Sequence, residues 1–202
     1  MNLFDSGERV FENIPIPNGQ LLFMPNFMND EKAHHYYQML LKTVDWHQEK
    51  VTVFGKTHPV PRETAWYGEK GIKYVYSNVH HAAKQWTQEL LEIKKVLDYY
   101  SPNQNYNSVL LNNYRHGSDK VGWHSDDEPE LGKTPTIASI SLGVTRRFDL
   151  KHKLTGEKRQ IHLNPGSLLI MSGEIQQYWK HQIPAQKKIE GGRINLTYRH
   201  VK

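Results

Sequence analysis

The chain has 202 residues, 37% of them hydrophobic, no cysteine and a formal net charge of +5. That length supports one domain with a sizeable core, and the missing thiols exclude disulfides and cysteine-ligated metals. No apolar run is long enough for a membrane span, and the start MNLFDSGERVFENI lacks the apolar stretch of a signal peptide, so a cytoplasmic protein is expected, nucleoid-associated in a bacterium or nuclear in a eukaryote.

In chain order, NDEKAHHYYQMLLKTV is the first predicted helix. Asn29 suits an N-cap, Asp30 and Glu31 suit the first turn, and Ala33, Tyr36, Tyr37, Leu40, Leu41 and Val44 recur at helical spacing. VTVFGK reads as a hairpin whose turn, Phe54-Gly55-Lys56, sets an aromatic beside a cation. Arg62, Trp66, Tyr67, Tyr74 and Tyr76 then interleave bases and aromatics, a texture that suits nucleic acid as well as a packed hairpin. HHAAKQWTQELLEIKKVLDYY reads as a second helix, with Ala83, Trp86, Leu90, Ile93 and Leu97 on its apolar side.

From about residue 105 the pattern changes to short strands between turn signals: YNSVLLNNYR, TIASISLG, RRFDLKHK, RQIHL, SLLIMSG and RINLTYRHV. Such spacing predicts a β-sandwich or barrel, with the two helices covering one face.

Three constellations carry chemistry. In an extended strand His124 and Asp126 of WHSDD share a face, and with a distant third ligand, for which His181 of YWKHQIP is the candidate, they would form a two-histidine, one-carboxylate set suited to iron(II); a chance H-x-D is the alternative. Alternation in RINLTYR puts Arg193, Asn195, Thr197 and Arg199 on one face, where arginines bind a dicarboxylate bidentately; a solvated strand face is the alternative. Asn112 and Tyr114 of LLNNYR share a third face.

The order N-x-Y, H-x-D, distant H and R-x-N-x-T-x-R resembles the AlkB family of Fe(II)- and 2-oxoglutarate-dependent dioxygenases, over about residues 54–199. WHSDDEPELG, IASISLG, PGSLLIM and RINLTYR match in order. VFGK is similar to the duplex-DNA type of that family, TAWYG and WHSDDEP to the type preferring single strands and RNA. The resemblance implies a mainly β fold with flanking helices (α+β), a double-stranded β-helix or jelly roll with N-terminal helices and a nucleotide-recognition lid. It would form one domain over 1–202, with about 1–104 as helical support and lid and about 105–202 as the jelly-roll core.

The same resemblance implies roles. His124, Asp126 and His181 would bind iron; Asn112, Tyr114, Arg193, Asn195, Thr197 and Arg199 would line the 2-oxoglutarate site. Phe54, with Gly55 and Lys56, would be a wedge; Arg62, Tyr74 and Tyr76 would belong to the lid; Asp127 and Glu128 would meet a cationic methylated base. Lys187 and Lys188 match part of a basic loop, although Gln186 stands where relatives have an arginine, and the KLTGEK loop is short. The expected activity is oxidative demethylation of 1-methyladenine and 3-methylcytosine with Fe(II), 2-oxoglutarate and O2, releasing succinate, CO2 and formaldehyde. Expected partners are alkylated DNA, single- or double-stranded, with RNA as a further candidate, and neither a membrane nor an obligate protein. An RNA or protein demethylase on the same scaffold, and a non-catalytic nucleic-acid-binding β-sandwich, are the competing readings.

Overall fold

The computed structural model describes residues 9–53, 55–76 and 79–202. Strands β1 (Glu12–Asn13) and β2 (Gln20–Met24) lead to helix α1 (Asp30–Thr43). Asn29 caps this helix as predicted, its side-chain oxygen accepting from the Lys32 amide at 3.0 Å, which satisfies one of the amides a helix start leaves bare. Ala33, Tyr36 and Leu40 form its buried stripe. Strands β3 (Lys50–Val53) and β4 (Lys56–Pro59) then make the expected hairpin, with Val53 paired to Lys56 and Gly55 at φ 75°. A positive φ costs glycine nothing. The wedge candidate Phe54 lies outside the described residues.

Strands β5 (Glu63–Gly68), β6 (Lys73–Tyr76), β7 (Val79–Ala82) and β8 (Lys84–Gln85) precede helix α2 (Gln88–Tyr100). The second helix therefore begins eight residues later than its apolar spacing suggests. Thr87 is the cap, accepting from the Leu90 amide, while Lys84 and Gln85 pair in parallel with Tyr67 and Gly68. Trp86, read as part of the helical face, instead stacks on Tyr198 at 6.1 Å. Sheet pairing and a cap decide the boundary, and periodicity within a short window sees neither. Leu90, Ile93 and Leu97 are wholly buried, each worth roughly 2 kcal/mol of apolar transfer.

The remaining elements are β9 (Ser108–Tyr114), β10 (Val121–His124), β11 (Ile137–Gly143), β12 (Arg146–His152), β13 (Lys158–Leu163), β14 (Leu168–Ser172), the single-turn helix α3 (Ile175–Tyr178), β15 (Trp179–Ile183) and β16 (Arg193–Arg199). They complete an eight-stranded major sheet of order β1-β2-β14-β11-β16-β9-β5-β8 and a four-stranded minor sheet of order β10-β15-β12-β13. This is the jelly roll, and four strands of its major sheet come from the first 104 residues.

Strand alternation divides the apolar residues between two cores. Ile194, Leu196 and Tyr198 of β16 join Leu111, Ile140 and both helices on the outer side of the major sheet. A second core of Leu21, Ile137, Phe148, Leu150, Leu169, Met171, Trp179 and Ile183 holds the two sheets together. The opposite face of β16 is thereby left between the sheets, where it lines a cleft.

Candidate active site

The walls of the cleft carry Asn112 and Tyr114 from β9, His124 from β10, His181 from β15, and Arg193, Asn195, Thr197 and Arg199 from β16. All nine residues that the sequence assigned to metal and co-substrate meet here, Asp126 being the ninth. Arg62 and Glu128 line it as well.

His124 and His181 are direct cross-strand partners, with ring centroids 4.3 Å apart. Asp126 does not lie in the strand, as alternation had assumed: β10 ends at His124. Ser125 and Asp126 are instead tied down individually. Ser125 Oγ donates to the Trp179 carbonyl at 2.8 Å, and the Asp126 amide donates to Gln176 Oε1 at 3.0 Å. One ligand atom from each of His124, Asp126 and His181 falls within 4.8 Å of the others. The His124 Nδ1 lies 2.8 Å from the Gly122 carbonyl, which can only accept, so Nδ1 carries the proton. That leaves the Nε2 lone pair towards Asp126, 3.8 Å away, and a backbone partner of this kind fixes the tautomer of a metal-binding imidazole.

Electrostatics set the same groups in ligand-ready form. Burial alone would raise the Asp126 carboxyl, but Arg199, His181 and His124 outweigh it and bring it to about 2. The Arg199 guanidinium lies 3.0 Å from its carboxylate. Burial, reinforced by repulsion from His124, holds His181 at about 3, hence neutral.

Opposite the triad, hydrogen bonds fix the polar face of β16, two of them to β11 and one within the strand. Asn195 Nδ2 donates to Ser139 Oγ at 2.8 Å, Thr197 Oγ1 donates to Asn195 Oδ1 at 2.8 Å, and Arg193 Nη2 donates to Ser141 Oγ at 2.9 Å. Arg193 is 1% exposed, yet its Nε and Nη1 are buried with no hydrogen-bond acceptor. Its charge lies against the Tyr114 ring, 5.4 Å from the centroid, and burial lowers it to about 10. Buried, unsatisfied guanidinium atoms are costly, and a carboxylate is the group that would satisfy them.

A model for the 2OG-Fe(II) oxygenase superfamily matches residues 20–199. The chain is 36% identical to the bovine (Bos taurus) alpha-ketoglutarate-dependent dioxygenase alkB homolog 3, an alignment spanning 96% of this chain and 71% of the relative. The chain belongs to the AlkB family of Fe(II)- and 2-oxoglutarate-dependent dioxygenases. Human (Homo sapiens) DNA oxidative demethylase ALKBH2 is 36% identical over 84% of this chain and 69% of its own length. The solved structure of OsALKBH1 superposes with a TM-score of 0.63 over 94% of this chain and 100% of that one, at 17% identity, a likeness of fold alone.

The AlkB enzyme's cofactors are therefore Fe(II), 2-oxoglutarate and O2, and the residues present fit them. Two imidazoles and a carboxylate with open positions suit non-haem iron(II), and the unsatisfied Arg193 atoms suit a dicarboxylate.

The two acids after the triad are not equivalent. Glu128 lines the cleft with its Oε2 buried and unpartnered, whereas exposed Asp127 bridges Lys153 at 3.6 Å. Arg62 is buried and donates from Nε to Asn112 Oδ1 at 2.8 Å. Gly55 and Lys56 are exposed at the β3–β4 hairpin, away from the cleft lining. Tyr74 and Tyr76 lie in β6, and their side chains lie outside the description.

Residues the sequence reading missed include Ser139 and Ser141, which alternation within IASISLG places on one face, and Gln176, which carried no signal. Arg146 was also missed. It is wholly buried and gathers the carbonyls of His116, Asp119 and Pro184. Gln186 turns inward to accept from Arg146 Nε and the Arg147 amide. Its carbonyl accepts nothing bulkier than Gly117 alongside, since a Cβ there would strike the Gln186 and Ile189 carbonyl oxygens.

Proposed function

We propose that this dioxygenase oxidatively demethylates N-alkylated bases in nucleic acid, 1-methyladenine and 3-methylcytosine in DNA foremost. The observation that carries the reading is the cleft itself, in which a buried, unpartnered Glu128 oxygen stands on the same wall system as the ligand triad and the unsatisfied Arg193. Bases methylated at these ring nitrogens are cationic, and a partly desolvated carboxylate favours the cation over a neutral base. Methylation there also blocks pairing, so extrusion of the damaged base costs less than extrusion of a normal one. The names of the relatives, among them a DNA oxidative demethylase, point the same way.

In this reading His124, Asp126 and His181 hold iron, and Arg193, Asn195 and Tyr114 seat 2-oxoglutarate with Asn112 and Thr197. Arg199 balances Asp126 and borders the co-substrate. When bound, iron and 2-oxoglutarate supply the oxidising chemistry: O2 is consumed, 2-oxoglutarate yields succinate and CO2, and the hydroxylated N-methyl group departs as formaldehyde. The protein's own part is orientation and exclusion of water. Glu128 holds the cationic base, Arg62 fixes the cleft wall through Asn112, and Phe148 backs the His181 ring at 5.2 Å. Asp127, Lys56, Tyr74, Tyr76 and the wedge Phe54 contact the nucleic acid around the extruded base.

The test is incubation with Fe(II), 2-oxoglutarate and oligonucleotides carrying 1-methyladenine or 3-methylcytosine, in single and double strands of DNA and RNA, beside methylated peptides. A mass loss of one methylene from the nucleic acid, matched by succinate, is expected. Formaldehyde from the peptides alone would replace this reading with a protein demethylase.

A further inference from the structure

The outer face of the minor sheet, on the far side from the cleft, carries a row of charge that the reaction does not use. Lys151 of β12 is paired across the strands with Lys180 of β15 on one side and Lys158 of β13 on the other. Directly paired residues share a face, and all three lysines are exposed. None has a carboxylate within ion-pair distance among the described residues. Neighbouring strands lie about 4.8 Å apart, so three ammonium groups start from a line about 10 Å long. Like charges set directly opposite one another destabilise a sheet, and no acid among the described residues pairs with them.

The next row on the same face is Gln182, Asp149 and Gln160. Its only acid is already neutralised: Arg147 Nε lies 2.9 Å from one Asp149 oxygen, and Arg147 Nη2 and Gln182 Nε2 donate to the other at 3.2 and 3.0 Å. At the edge, Glu157 is likewise paired with Arg159. A shallow groove crosses these residues to Lys158, and Trp123, 40% exposed, forms its other end. Trp123 sits one residue before His124, but its ring lines this groove and not the cleft.

A line of uncompensated cations beside an exposed indole and amide side chains is the chemistry of a single nucleic-acid strand, phosphates on the lysines and a base on the ring. An acidic peptide would use the cations but has no need of the indole. Lys180 and Trp123 each adjoin a cleft histidine, and the β12–β13 turn carries Lys153, which reaches Asp127 beside the triad. The face thus begins at the rim of the site. We propose that the outer face of the minor sheet, through Lys151, Lys158, Lys180 and Trp123, binds the strand that flanks the base in the cleft. This rests on the nucleic-acid reading given above.

Binding of a trinucleotide and of an unmodified DNA strand of about fifteen nucleotides tests the inference, with turnover of a methylated trinucleotide as the control. The triple variant Lys151→Gln, Lys158→Gln, Lys180→Gln should bind the long strand more weakly, with the slope of log K against log salt shallower by about 2, since each phosphate contact on a single strand contributes roughly 0.7. Its trinucleotide turnover should stand, and its thermal midpoint should not fall, because a repulsive row is gone. Trp123→Ala should weaken the long strand by about tenfold and leave polyglutamate binding unmoved. An unchanged salt slope in the triple variant would overturn the inference, as would loss of trinucleotide turnover or a lower midpoint, which mark a structural role. Polyglutamate that binds as tightly as DNA and loses equally would transfer the face to an acidic partner. Wild type that turns over methylated trinucleotide but gains nothing from length leaves the proposed function standing and ends this inference; wild type inert on every nucleic acid ends both.

Discussion

Replacing Arg193 by methionine separates a residue kept for stability from one kept for a ligand. The guanidinium is 1% exposed, donates to Ser141 Oγ at 2.9 Å beside the Tyr114 side chain, and leaves Nε and Nη1 without acceptors among the described residues. Burial lowers it from 12.5 to about 10, which corresponds to roughly 3 kcal/mol against the charged form at about 1.4 kcal/mol per unit. Methionine fills similar volume without that penalty, so Arg193→Met should stabilise the metal-free, ligand-free protein by about 1–3 kcal/mol, read as a higher denaturation midpoint. On the proposed reading the same change removes the charge-assisted hydrogen bonds that Nε and Nη1 would donate to 2-oxoglutarate, each worth about 1.5–3 kcal/mol. The KM for 2-oxoglutarate should therefore rise by roughly a hundredfold or more, and the stabilisation that saturating 2-oxoglutarate with an inert divalent metal gives wild type should largely vanish. The assays are thermal denaturation with and without co-substrate, and succinate formation against 2-oxoglutarate concentration. A variant less stable when empty, yet still stabilised by 2-oxoglutarate to the wild-type extent, would refute the reasoning at its root.

His124→Ala should abolish succinate formation while leaving the denaturation midpoint of the metal-free protein near wild type, and a chelator should reproduce the loss reversibly; turnover that survives either removes His124 from the metal site. In metal-free protein, His181 is held neutral down to about pH 3, whereas the unfolded chain takes up that proton near 6.5. The unfolded state thus binds up to one proton more between those limits, so stability rises with pH across the window and falls by roughly 2 kcal/mol from pH 6.5 to 4.5. Urea titrations should show this slope in wild type and lose it in His181→Asn; equal slopes contradict it. Glu128→Gln should lower kcat/KM on 1-methyladenine by roughly ten- to a hundredfold and much less on a neutral methylated base, with Asp127→Asn nearly silent; a larger effect for Asp127 would reverse the assignment. Phe54→Ala should reduce repair of duplex more than of single strands, and a proportionate loss on both argues against a wedge.

How much of this was legible in the sequence follows from the range of the forces involved. Helix α1 was readable because its cap, acidic first turn and apolar stripe all lie within sixteen residues. The β16 face was readable because alternation is local, and the structure turns all four of its polar residues into the cleft. Helix α2 was overextended because its true start depends on Lys84 and Gln85 finding a partner in β5. Asp126 was placed for a reason that does not hold, since its position depends on Gln176 and not on strand alternation. Nor does spacing separate Asp127 from Glu128, adjacent acids of which one meets Lys153 and the other the cleft.

The two arginines of β16 make the sharpest case for reading charge together with geometry. In sequence they are equivalent, six residues apart on one face, and both suit a carboxylate. In the fold Arg199 lies 3.0 Å from Asp126, and its field is the largest influence holding that carboxyl ionised against burial. Arg193 has no carboxylate partner among the described residues; the Tyr114 phenol offsets its burial only in part, and Arg146 nearby adds repulsion. On the proposed reading one cation therefore serves the metal ligand Asp126, and the other serves the co-substrate. A dicarboxylate co-substrate reaching from the metal towards Arg193 would complete the balance. The cleft is consequently a place of concentrated charge, which ties the stability of the fold to the molecules it binds.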